Sequence, residues 1–292
     1  MTHFEGVYVA MVTPFTDAYE VDYKRLRELC DRLISGGVDG LVPTGSLGEY
    51  ATLSGEERAK VVETVIEAAA GRVPVVVGTA APSTEQAVGW VRHAKAAGAA
   101  GVMALPPINY KPLRHEVIAH FEALSEVGLP IVAYNNPHDY KVDLTPDFLA
   151  ELSRIENIVA VKEFSGDIRR IHDILEKTGL EVMVGVDDLA MEGPLFGATG
   201  WISGVPNALP QEGAQLFRLA REGRLKEALP LYRRLLPLFH YDASPQLVQS
   251  IKYMMELSGF PVGPTRPPRL PLPAADYEAI KQAFEYAAVS RI

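Results

Sequence analysis

The sequence predicts a (β/α)8 TIM barrel with a C-terminal helical region, and three observations carry that expectation. Short apolar, β-branched runs recur eight times over the first two thirds of the chain, amphipathic stretches separate them, and only helical patterns follow residue 223. Eight β/α units within about 200 residues is the spacing of a closed barrel, and an open doubly wound sheet rarely holds that many evenly spaced parallel strands.

The runs are Val7 to Phe15, Val38 to Pro43, Val73 to Thr79, Gly101 to Leu105, Pro130 to Tyr134, Ile158 to Phe164, Val182 to Val186 and Gly200 to Gly204. Most lack polar alternation, as strands covered on both faces do. The first runs on into DAYEVD without a glycine fingerprint, which removes a dinucleotide-binding sheet as competitor. Helical periodicity fills Tyr23 to Ile34, Glu56 to Ala70, Thr84 to Ala97 and His115 to Val127. Ser54 with Glu57 reads as a capping box, and Thr145 before Pro146 as another helix start. Gly36, Gly71, Gly98, Gly128 and Gly179 stand where helices should stop.

Residues 1–223 are thus read as the barrel and 224–292 as the helical region. The latter holds helices over Leu225 to Leu236, Pro245 to Ser258 and Ala274 to Ala288. The PVGPTRPPRLPLP stretch before the last helix contains PxxP spacing but reads as an extended connector lying on the body.

The 292 residues carry 28 Lys and Arg against 37 Asp and Glu, a net charge of −9, which argues against a nucleic-acid partner. At 48% hydrophobic and 22% charged, the chain can bury a large core, and disorder or coiled coil is excluded. Its single cysteine, Cys30, cannot close an internal disulfide and fits a reducing, cytoplasmic setting. The MTHFEG start lacks the basic region and apolar stretch of a secretory leader, and no stretch reaches the ~18 apolar residues of a membrane span.

Barrel active sites form at the carboxyl ends of the strands, so polar residues that interrupt or end an apolar run are the candidates. Lys162 stands inside IVAVKEF, on the same face as Ile158, Ala160 and Phe164. An ion pair with Glu163 or Glu49 would give it a purely structural role. The functional reading is a Schiff-base nucleophile. A free lysine of pKa ~10.4 is neutral in only roughly one molecule in a few thousand at pH 7, and an apolar pocket raises that fraction by penalising the ammonium. The neutral amine attacks the carbonyl of a 2-oxo acid, and the resulting iminium acidifies the neighbouring carbon.

Tyr134, ending PIVAYNNP one strand earlier, is placed as a proton shuttle, although a tyrosine at a strand end can also simply cap the core. In VPTGSLGEY, Gly45 and Gly48 allow a sharp turn that presents amides near Ser46 and Leu47, suited to a carboxylate.

Through VTPF, GSLGE, YNNP and VKEFSGD the chain resembles, over essentially its whole length, the dihydrodipicolinate synthase and N-acetylneuraminate lyase superfamily. The resemblance implies a barrel with a C-terminal helical region, usually a homotetramer, that uses a lysine Schiff base and no metal or organic cofactor. It implies Lys162 as the Schiff-base lysine and Tyr134 as the proton-relay tyrosine. Ser46 and Leu47 fall at paired hydroxyl positions that relay protons and hold the substrate carboxylate. Independently of the resemblance, His138, directly after YNNP, reads as a pocket-lining residue, and Ile202 is counted with it among the substrate-binding residues.

Three features depart from the synthase branch. Leu47 offers an amide but no hydroxyl, PHDYKV lacks the arginine that follows YNxP, and LPPINYKP leaves Tyr110 an imperfect match to a tyrosine that crosses to a neighbouring subunit. With VGVDDLA, LVQSIK and TRPPRLPL, the sequence looks more like the deaminases of 4-hydroxy-1-pyrroline-2-carboxylate. The expected substrate is therefore a small 2-oxo acid or its cyclic imine, with deamination favoured. Dihydrodipicolinate (4-hydroxy-tetrahydrodipicolinate) synthase and a 2-keto-3-deoxy sugar acid dehydratase or aldolase stand as alternatives. An inactive barrel serving as a binding protein would be marked by loss of the lysine or the tyrosine, and both are present.

HEVIAH, His115 to His120, is set aside as a zinc motif, because a spacing of five turns the second histidine about 140° away from the first. Asp187 and Asp188 read equally as the cap of a following helix or as partners of substrate hydroxyls.

Overall fold

The computed structural model describes residues 4–108 and 111–288. Its eight strands are β1 (Gly6–Ala10), β2 (Gly40–Val42), β3 (Val76–Gly78), β4 (Gly101–Ala104), β5 (Ile131–Asn135), β6 (Ile158–Glu163), β7 (Glu181–Val184) and β8 (Gly200–Ser203). They pair in parallel in the order β2-β1-β8-β7-β6-β5-β4-β3. The end strands meet through a parallel bridge between Leu41 and Val75 and a 3.0 Å hydrogen bond from Leu41 N–H to the Pro74 carbonyl, which closes the TIM barrel. Almost every strand residue is buried, since side chains fill the bore and helices cover the outside.

The helices follow the apolar periodicity closely: α1 (Tyr23–Ser35), α2 (Gly55–Ala69), α3 (Thr84–Ala97), α4 (Arg114–Ser125), α5 (Pro146–Leu152), α6 (Arg169–Lys177) and α7 (Pro210–Arg221). The capping box at α2 forms in both directions: Ser54 Oγ accepts from the Glu57 amide at 3.1 Å, and the Glu57 carboxylate accepts from the Ser54 amide at 2.9 Å. Thr145 caps α5, with Pro146 in its first turn. After the barrel come α8 (Leu225–Phe239), α9 (Leu247–Leu257) and α10 (Ala274–Ala288).

Among the boundaries that differ from the sequence reading, three do so for identifiable local reasons. The first run leaves the sheet after Ala10. Beyond it the Val12 amide donates to the Asn207 side chain and the Phe15 amide to the Val262 carbonyl, so VTPF is a loop that joins the barrel to the C-terminal chain. Helix α8 passes through Pro230 and Pro237 to Phe239, because Leu238 and Phe239 are buried; the prolines cost backbone bonds that this packing offsets. Helix α9 starts at Leu247 rather than Pro245.

The C-terminal helices dock through apolar and ionic contacts. Trp201 of β8 stacks on Phe217 of α7 at 6.1 Å and meets Phe239 of α8 edge-on at 5.6 Å. Lys252 of α9 pairs at 2.9 Å with Glu49 in the loop after β2. Cys30 is buried in α1, and burial pushes its thiol up to about 12, which makes it inert packing. Among the described residues no helix is long and apolar enough to cross a membrane.

Candidate active site

Tyr134 of β5 and Lys162 of β6 are paired across the two strands, so alternation turns both side chains into the bore at one level. The Lys162 nitrogen lies 4.4 Å from the centre of the Tyr134 ring and 5.6 Å from that of Phe164. The next pair, Asn135 and Glu163, faces the opposite side, where Asn135 Nδ2 donates to Glu163 Oε2 at 3.0 Å. Glu163 also accepts from the Ser165 amide at 2.6 Å, and Glu49 is taken by Lys252. Neither carboxylate is therefore the partner that a structural role for Lys162 would require.

Lys162 is 6% exposed, and burial holds its pKa below the ordinary lysine value against the opposing pull of Asp242, Asp187 and Asp139, in that order. Tyr134 is equally buried. Its hydroxyl accepts from Asn136 Nδ2 at 3.2 Å, and burial foremost holds its proton more tightly than in a free phenol.

The GSLGE loop closes another side of the site. Its left-handed residues are Thr44 (φ 56°) and Glu49 (φ 56°), which bracket the turn, while the glycines serve close approach instead. A Cβ on Gly48 would stand 3.0 Å from the Met11 carbonyl oxygen. Two non-glycine residues in that region store about 1–3 kcal/mol of strain each, and the surroundings hold them there. Thr44 Oγ1 donates to the Gly78 carbonyl at 3.0 Å, and Glu49 is pinned by Lys252.

Ser46 Oγ lies 2.8 Å from the Tyr140 hydroxyl, and the phenol of Tyr50 also acts on Tyr140. Leu47 is buried, and its Cδ2 would stand 3.0 Å from a Cβ on Gly204, just past β8. Ile202 is buried beside Tyr8 in the β1–β8 register and faces inward, opposite to Trp201. His138 is exposed at the rim; its Nε2 lies 2.9 Å from the Ser165 carbonyl oxygen and its ring 6.4 Å from that of Phe164. Tyr110 lies outside the described residues.

Asp187 is fully buried. Trp201 Nε1 donates to its Oδ1 at 3.0 Å and the Val205 amide to its Oδ2 at 3.3 Å, and burial raises its pKa to about 7 despite these donors. It is thus a carboxyl of the barrel mouth rather than a helix cap, whereas the Asp188 carbonyl accepts from the Tyr232 hydroxyl at 2.7 Å. Sequence reasoning missed Asp242 and Tyr140. The first looks like a polar residue ending a helix, and the second lies in a loop without periodicity. Among the described residues no group of three or more His, Cys, Asp or Glu side chains is arranged to hold a metal ion.

Known proteins share this architecture throughout. The chain is 40% identical over 283 residues to the 4-hydroxy-tetrahydrodipicolinate synthase of Methanosphaerula palustris, covering 94% of this chain and 95% of that one. It is 38% identical over 288 residues to the enzyme of the same name from Syntrophobacter fumaroxidans, covering 97% and 98%. The crystal structure of dihydrodipicolinate synthase from Aquifex aeolicus superposes with a TM-score of 0.92 at 31% identity, over 97% of each chain. The sequence model of the dihydrodipicolinate synthetase family matches residues 3–287, and this chain belongs to that family of Schiff-base-forming lyases.

Proposed function

We propose that Lys162 condenses with the C2 carbonyl of a small 2-oxo acid, or adds to the C=N of its cyclic form. The observation that carries this is a buried lysine with a depressed pKa, opposite Tyr134 at the mouth of the barrel. The amides of Ser46 and Leu47 hold the substrate carboxylate, Ile202 walls the bore and His138 borders the entrance. Tyr134 moves protons to and from the carbon activated by the iminium, with Ser46 and Tyr140 behind it. The family resemblance supports a homotetramer.

For the substrate, the names of the relatives support 4-hydroxy-tetrahydrodipicolinate synthesis better than the deamination favoured by the sequence motifs. In the synthase reading the enamine of Lys162-bound pyruvate attacks aspartate semialdehyde. One observation favours the second reading, deamination of 4-hydroxy-1-pyrroline-2-carboxylate. The titratable groups facing Lys162 include the carboxyls of Asp242, Asp187 and Asp139, and Asp139 lies in the PHDYKV segment that lacks the synthase arginine. That segment offers no arginine to a second carboxylate-bearing substrate, whereas a hydroxylated ring meets hydrogen-bond partners in these carboxyls.

The experiment has two stages. Borohydride with pyruvate should add the ligand's mass at Lys162, and label elsewhere, or none with any 2-oxo acid, would falsify the Schiff-base reading. Purified enzyme is then given pyruvate with aspartate semialdehyde, or 4-hydroxy-1-pyrroline-2-carboxylate alone. Condensation without ammonia release establishes the synthase. Ammonia with 2,5-dioxopentanoate establishes the deaminase, and turnover of 2-keto-3-deoxy sugar acids alone replaces both.

A further inference from the structure

Asp242 lies in the turn between α8 and α9, outside the strands and the loops that supply the rest of the site. Its own amide donates to the Phe239 carbonyl at 2.9 Å, which fixes the turn, and the residue is 7% exposed. Oδ2 accepts from the backbone amide of Asp187 at 3.3 Å. Oδ1 lies 3.6 Å from where a Cβ on Gly204 would stand, a point that Leu47 Cδ2 approaches to 3.0 Å. The carboxyl therefore enters the barrel mouth beside Leu47, and of the three carboxyls facing Lys162 it acts on the amine most strongly.

We propose that Asp242 is the proton donor for imine formation at Lys162. This rests on the Schiff-base reading above and deepens it. The neutral amine adds to C2 of the 2-oxo acid and gives a carbinolamine. The C2–O bond then breaks, the carboxyl proton of Asp242 passes to the departing hydroxyl, and water leaves. The nitrogen lone pair forms the C=N bond, so the products are a cationic imine and the Asp242 carboxylate. Atoms and charge balance: a neutral amine and a neutral carboxyl become an ion pair, and the desolvated pocket never holds an unpaired cation.

The surroundings fit this assignment. Lys162 is faced by Tyr134 from β5, Asp139 from the loop after it, Asp187 from the loop after β7, and Asp242. Asp242 is faced by Asp187, Lys162, Asp188 and Tyr134, and burial with the Asp187 charge holds its carboxyl well above the ordinary carboxylate range. Tyr134 is the weaker acid, as its phenol is itself held above the ordinary tyrosine value.

The test is the rate at which cyanoborohydride with pyruvate traps an adduct, followed against pH for wild type, Asp242→Asn and Asp242→Glu. Wild type should give a bell: the rising limb is deprotonation of Lys162, and the falling limb is loss of the donor proton. Asp242→Asn should trap about 10²- to 10⁴-fold more slowly near neutral pH and lose the falling limb, and Asp242→Glu should restore both. Label at Lys162 in Asp242→Asn at the wild-type rate, with the wild-type profile, overturns the proposal and leaves the Schiff-base reading standing. Absence of an adduct in wild type overturns both. Circular dichroism checks the fold, and should Asp242→Asn not fold, a wild-type rate that only rises with pH overturns the proposal.

Discussion

Glu49 Oε1 and Lys252 Nζ meet at 2.9 Å with both side chains shut off from water, which ties the loop after β2 to helix α9. Glu49 Oε2 also accepts from the Arg266 amide at 3.0 Å, and Arg269 lies 3.8 Å away. The same residue is in the left-handed region, so its ionic partners hold a strained backbone next to Ser46.

Removing one member of this pair strands the other charge. Lys252→Met should lower the free energy of unfolding by about 3–5 kcal/mol, read from urea denaturation. The double variant Glu49→Gln with Lys252→Met should recover much of that loss. A single-variant loss within 1 kcal/mol, the range of an exposed pair, would show that water reaches the site.

Stability in acid should depend on a second ion pair. Arg266 Nη1 donates to Glu57 Oε2 at 2.8 Å, and this bond foremost holds the Glu57 carboxyl at about 2, against an ordinary 4.5. Because the folded pKa is the lower, the stabilisation is complete above the unfolded value and is lost as pH falls from about 4.5 towards about 2. Thermal unfolding of Glu57→Gln should fall less steeply across that window than wild type. Parallel curves would remove Glu57 from the acid response.

Tyr134→Phe keeps the ring against Lys162 and removes one hydroxyl. Turnover should drop on the order of 10²- to 10⁴-fold, while borohydride still traps the imine at Lys162. Wild-type turnover would exclude Tyr134 from proton transfer.

Tyr140→Phe breaks the 2.8 Å contact with Ser46 Oγ. One hydrogen bond of about 1 kcal/mol predicts a kcat lower by roughly 5- to 10-fold with KM little changed. Steady-state kinetics decide it, and an unchanged kcat places Tyr140 outside the relay.

The barrel was legible because its strands are apolar on both faces, and Lys162 because a cation interrupts one of them. Tyr134 followed from its place one strand earlier. Asp242 and Tyr140 left no such mark. Asp242 is brought to the mouth by the docking of α8 on β8 through Trp201 and Phe239, a contact between segments far apart in the chain. Tyr140 comes to Ser46 through the loop that follows YNNP, whose path rests on individual bonds such as Asn136 Nδ2 to Asp139 Oδ2 at 2.8 Å. The turn at GSLGE was anticipated, but its left-handed positions fall on Thr44 and Glu49, which are held by the Gly78 carbonyl and by Lys252, tethers that no local pattern encodes.

The junction of β2 and β3 divides the barrel into a firm wall and a yielding one. Pro43 and Pro74 have no amide hydrogen to give, and closure rests on the Leu41–Val75 bridge, the Leu41 amide on Pro74 and the Gly78 amide on Pro43, each of these two bonds 3.0 Å long. Five residue pairs, by contrast, join β5 to β6. Thermal breathing should concentrate at this seam, so the Leu41 and Gly78 amides should exchange with solvent deuterium through smaller openings than those of Val161 and Lys162. The seam lies almost diametrically across from β6 in the strand order. The wall that gives is the one bearing the Ser46 loop, and the wall that stays shut is the one that fixes the reactive amine.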